Sequence, residues 1–179
     1  MDDDENEAVA EELRIMRERS RPPKTLSVEV FDQRIETLCT REVTTLETDA
    51  TIGDAVEIMR AKKFGSLLVT AGGRLVGIIT ERDVLRKVVG VPGSDLRDPI
   101  AKIMTPDPET LRRHDSIAFA MNKMHVGGFR HIPIVDDDGK PLHVISIRDL
   151  IAYVLDHFPE RILNMPTEPY RGERRRESE

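Results

Sequence analysis

The chain has 179 residues, enough for one ordinary domain or two small ones. Apolar residues make up 39% and aromatic residues only 4%, with no Trp, so any core is aliphatic; this argues against a stacking platform for nucleic acid. The formal charge is -6, yet seven acids and no base fall in the first twelve residues, which places the acidity at one end and leaves the body near neutral. A single cysteine cannot form an internal disulfide, no apolar segment follows a basic start, and no apolar run approaches the roughly 18 residues of a membrane span. These features predict a soluble, cytoplasmic protein in a reducing compartment, with no membrane partner.

Residues 1–25 start acidic and then place Val9, Leu13 and Met16 at helical spacing before Pro22-Pro23; a short amphipathic helix and a solvated arm are both open. A first unit is read over 35–89. In it Thr51, an N-cap type, precedes Ile52, Ala55, Val56 and Met59 at helical spacing. Residues 66–70 and 75–79, separated by Ala71-Gly72-Gly73-Arg74, form a predicted β-hairpin, after which Thr80 starts a second helix carrying Val84 and Leu85. A connection over 90–99, with Gly and Pro, leads to a second unit over 100–154. Ser116 caps its first predicted helix (Ile117, Ala120, Met121, Met124), 131–135 and 142–145 flank a turn, and Ser146 starts its last helix. The extension 155–179 carries apolar residues over 158–166, expected to pack on the body or on a dimer mate, and ends in a charged tail whose three consecutive arginines are interleaved with Glu, the pattern of a frayed end.

The two units are copies of each other. An offset of 65 lays Ile35, Leu38, Cys39 and Thr40 on Ile100, Ile103, Met104 and Thr105, and Phe64 on Phe129. One extra residue in the second hairpin moves the offset to 66, where 78–85 lies on 144–151. Each copy reads strand, helix, strand, strand, helix. So small a unit buries too little surface to be stable alone. The predicted fold is therefore α+β or α/β, with tandem β-α-β-β-α repeats packed sheet to sheet about a pseudo-twofold axis that leaves two related clefts.

At the start of the second helix both copies read apolar, apolar, hydroxyl, any, Arg, Asp: Ile78-Ile79-Thr80-Glu81-Arg82-Asp83 and Val144-Ile145-Ser146-Ile147-Arg148-Asp149. A helix N-terminus offers free N–H groups to an anion. An Asp in the first turn can accept both hydroxyls of a vicinal diol such as ribose, and Arg82 and Arg148 bring forked donors suited to phosphate. The same spacing also describes a helix cap, with Asp favouring the dipole. One occurrence reads as a cap; two, each with its Arg, point to a ligand, although a duplicated cap would look alike.

These motifs, together with Ile103-Met104-Thr105 and Phe129-Arg130-His131-Ile132-Pro133-Ile134-Val135-Asp136, resemble a CBS domain pair, or Bateman module, over residues 35–154. The resemblance implies adenosine ligands (AMP, ADP or ATP, with S-adenosylmethionine or NAD as variants) in the inter-repeat clefts. It also implies a homodimer in which two pairs form a disc, a signal-transduction role toward some regulated protein, and no catalysis. Carried over by residue, Thr80 and Asp83 would hold the ribose of the first cleft and Ile78 the adenine. Arg130, His131 and Arg148 would face its phosphate, and Pro108-Glu109 would add backbone contacts to the base. The second cleft would use Ser146, Asp149 and Val144 with Val43-Thr44 and Arg82. Gly65-Ser66 stands where Arg130-His131 stands, and His143 where Gly77 stands, so phosphorylated ligand is expected to bind the first cleft more tightly.

Other candidates reduce to structure. The five histidines show no ligand spacing for zinc, and Cys39 reads as a small core hydrophobe. Asp136-Asp137-Asp138 lacks the later Glu of a calcium loop and reads as a solvated turn, and no hydroxyl or carboxylate has a base beside it. A ligand-free dimerising scaffold of the same fold is the alternative function.

Overall fold

The computed structural model describes residues 28–39 and 43–157. The arm over 1–25, Thr40, the apolar segment 158–166 and the charged tail lie outside them. The first repeat contains β1 (Thr45–Glu47), α1 (Ile52–Lys62), β2 (Ser66–Ala71), β3 (Arg74–Thr80) and α2 (Glu81–Lys87). A two-residue β4 (Thr105–Pro106) follows, then β5 (Leu111–Arg112), α3 (Ile117–Gly127), β6 (His131–Val135), β7 (Pro141–Ser146) and α4 (Ile147–His157). The sheets run β1-β2-β3-β4 and β5-β6-β7, with the first pair parallel and the hairpin antiparallel in each. The first repeat and the second as far as Ile151, partway along α4, lie in one compact unit, Ser27–Ile151.

The stretches expected to open each unit, Ile35–Leu38 and Ile100–Lys102, are 3-10 turns, and the strands come later. Each turn belongs to the other repeat's framework. Ile52 and Gly53, at the start of α1, donate to the carbonyls of Asp98 and Leu96, both at 2.8 Å, and Ile100 N donates to Ala50 O. At an offset of 65, Ile117 and Ala118 of α3 donate to Gln33 and Phe31, both at 2.9 Å, and Ile35 N donates to Asp115 O. The first turn of an α-helix has N–H groups with no partner of its own, and here each is satisfied by backbone that precedes the opposite copy. Residues 90–99 are thus a working part of the first repeat, and Ile100 and Ile103 complete its core with Ile52, Ala55, Met59, Leu67, Val69 and Ile79.

Side chains alternate across a strand, so Leu67 and Val69 face α1 while Leu68 points away, as does Ile78 on the neighbouring strand. Leu68 and Ile78 are buried nonetheless. The second repeat meets the first at two points: Leu75 N donates to Gly139 O across the two hairpins, and His131 lies against Gly65. The repeats pack sheet to sheet, as the repeat pattern predicts.

Candidate functional site

Thr80 ends β3 in extended conformation and caps α2. Its hydroxyl accepts from Asp83 N, while Asp83 Oδ2 accepts from Thr80 N at 3.0 Å and from Thr80 Oγ1 at 2.6 Å. Ser146 and Asp149 repeat the arrangement at α4, with 2.7 and 2.6 Å for the same two bonds. The capping geometry is real in both copies, and a third box of the same form, Thr51 with Asp54, starts α1. Asp83 has a further partner. Lys87, one turn along α2, places Nζ 2.8 Å from Asp83 Oδ1 and donates at 2.6 Å to the carbonyl of Ile103. Burial alone would push the Asp83 carboxyl up; the hydrogen bonds from Lys87 and Thr80 outweigh it and hold the group below the usual carboxylate range.

Beside this cap lies β4, whose Thr105 and Pro106 pair with Ile78 and Gly77. Gly77 permits that approach, since a Cβ there would meet Met104 Sδ at 2.5 Å and Thr105 O at 3.2 Å. Thr105-Pro106, rather than Pro108-Glu109, is therefore the backbone laid along Ile78. Pro108 is half-buried two residues further on, and the Glu109 carboxylate pairs with Lys123 of α3.

His131 opens β6 opposite Ser146 and stands 3.4 Å from the position a Gly65 Cβ would occupy. Gly65 O in turn accepts from Glu81 N, the first residue of α2. Burial and the neighbouring Arg130 cation lower the His131 pKa from its ordinary value, against the opposing pull of Asp149 and Glu81. Of these two carboxylates, Asp149 is the cap acid of α4 and Glu81 is the first residue of α2. Arg82, Arg130 and Arg148 are exposed, and among the described residues none of the three forms an ion pair. An open groove of about 630 Å³, lined by α3 residues with Phe129 and Ile147, takes in Arg130 alone among the expected site residues.

For the second cleft, Val144 is half-buried on β7 opposite Pro133, and Val43 and Thr44 lead into β1, with Lys62 Nζ donating to Thr44 Oγ1 at 3.1 Å. The residues matching β4, 40–41, are outside those described. His143, in the place of Gly77, is buried on β7 opposite Ile134. Sequence reasoning missed Lys87, although a base four residues after an acid on one helix is a legible signal. Among the described residues no helix is long and apolar enough to cross a membrane.

The family profile "CBS domain" matches residues 35–90 and again 100–156. A 17.7 kDa protein of Acidianus ambivalens is 34% identical over 124 residues, covering 69% of this chain and 74% of that one. The CBS domain-containing protein CBSCBSPB3 of Arabidopsis thaliana is 29% identical over 126 residues, but those residues are only 23% of its length. A CBS domain protein of Pyrobaculum aerophilum, solved in complex with AMP, superposes with a TM-score of 0.63 at 30% identity, covering 70% of this chain and 98% of that one.

Proposed function

The chain belongs to the CBS domain family, and we propose that it serves there as a regulatory module that binds an adenine nucleotide of the AMP, ADP or ATP type between its two repeats. One observation carries the reading: hydroxyl, amide and carboxylate converge at Thr80-Asp83 and again at Ser146-Asp149, each helix start carrying an arginine free of ion pairs among the described residues. A carboxylate beside an extended strand suits a ribose diol under an adenine lying on Ile78 and Thr105. Arg130 and Arg148 supply positive charge for phosphate, and His131, whose pKa burial and Arg130 hold below its ordinary value, adds a hydrogen-bonding imidazole beside Arg130. The complex of the Pyrobaculum aerophilum protein with AMP supports this choice of ligand class. Thermal-shift and calorimetric titration with AMP, ADP, ATP, NAD and S-adenosylmethionine test it. Stabilisation by at least one is the expected result, and no response at millimolar concentration to any would overturn the reading.

We further propose that the signal leaves through a homodimer. Leu85 on α2 and Ile151, its repeat partner on α4, are 65% and 53% exposed, a duplicated apolar pair that a second copy would cover. The scaffold alternative shares this feature, and sedimentation of a Leu85→Asp, Ile151→Asp variant tests it: the variant should be monomeric where the unaltered chain is not.

A further inference from the structure

The asymmetry between the two caps lies in Lys87. Its repeat counterpart, at an offset of 66, is Tyr153, so among the described residues an ammonium sits on the cap carboxylate of the first repeat and not of the second. Lys87 is no wandering surface lysine: two bonds fix it, one to Asp83 Oδ1 at 2.8 Å and one to Ile103 O at 2.6 Å, just ahead of β4. A carboxylate offers about four acceptor positions. Thr80 N, Thr80 Oγ1 and Lys87 Nζ fill three of those on Asp83.

We propose that Lys87 is a specificity-determining residue of the first cleft, which holds the acceptor carboxylate against neutral nucleosides and favours phosphorylated ligands. A diol brings two donors to a group with room for about one, so full engagement displaces the ammonium from Asp83. A neutral nucleoside offers that ammonium no new counter-charge. A nucleotide does, because its phosphate enters a cleft where the Lys87 charge adds to those of Arg130 and Arg148. The second repeat carries no lysine at the matching sequence position and lacks this discrimination.

The inference rests on the nucleotide reading above, and the test separates the two. AMP and adenosine are titrated calorimetrically into the unaltered full chain and into the same chain with Lys87→Met or Lys87→Arg, and the site whose affinity changes with Lys87 is read as the first cleft. Lys87→Met should bind adenosine about threefold or more tightly, and its preference for AMP over adenosine should shrink by at least that factor. Lys87→Arg should keep the original preference, which a merely structural role would not require. If AMP binds but Lys87→Met leaves adenosine affinity and the preference unchanged, this inference fails and the nucleotide reading stands. If neither ligand binds the unaltered chain, both fall.

Discussion

Replacing Asp83 with Ala separates the two roles a capping carboxylate can have. The cap contributes about 1 kcal/mol, and the pair with Lys87, whose side chain is 41% exposed, adds under about 1 kcal/mol after solvent screening. Asp83→Ala should therefore destabilise the fold by about 1–2 kcal/mol, which lowers the melting temperature by roughly 2–8 °C for a chain of this size. Asp54→Ala is the control. It removes the same two carboxylate bonds, Asp54 Oδ2 accepting from Thr51 N at 2.9 Å and from Thr51 Oγ1 at 2.6 Å, from the start of α1. Both variants should melt earlier in calorimetry. AMP at 100 times its dissociation constant should stabilise both the unaltered protein and Asp54→Ala by about 2.7 kcal/mol, while Asp83→Ala should lose most of that gain. Equal AMP-induced shifts in the two variants would show that Asp83 is only a cap and would refute the site assignment.

Ionised Asp83 has a folded pKa below the roughly 3.9 of an unfolded chain, so its contribution is full above about pH 4 and vanishes as pH falls through the folded value. His131 acts higher up the scale. Its folded pKa is depressed below about 6.5, so stability is full above that and declines as pH falls toward the folded value; urea melts at pH 7.5 and 5.5 should differ less for His131→Gln than for the unaltered chain. Ile35 is fully buried and sits in the segment bonded to the second repeat, so Ile35→Ala should cost about 2–5 kcal/mol and raise hydrogen exchange at Ile117 and Ala118. Lys63 ends α1 in the left-handed region at φ 56°, and Lys63→Gly should stabilise the protein by about 0.5–1 kcal/mol in equilibrium unfolding.

The helices, the hairpins and the duplication were legible because side-chain periodicity and turn chemistry encode them. Gly77 was legible as a departure between the copies, and its cause, the close approach of β4, appears only in three dimensions. Ser116 has the right residue type for a cap but makes no side-chain cap bond; Phe119 stands three residues on, where Thr51, Thr80 and Ser146 each have an Asp. The exchange of helix-capping backbone between repeats left no trace in composition, because carbonyls such as those of Gln33 and Asp98 do that work whatever their side chains. Two-residue strands like β4 are too short for any period to mark them. The arginines and cap carboxylates were found by sequence, but that His131 lies against Gly65 of the first repeat depends on packing between the copies.

The ribose acceptor is the centre of this account, and a crystal structure of the full chain with AMP tests it most directly. It should show the ribose hydroxyls within about 3 Å of Asp83 and the adenine against Ile78 and Thr105. AMP seated instead in the groove beside Phe129 and Ile147, with the Thr80-Asp83 cap unvisited, would contradict it.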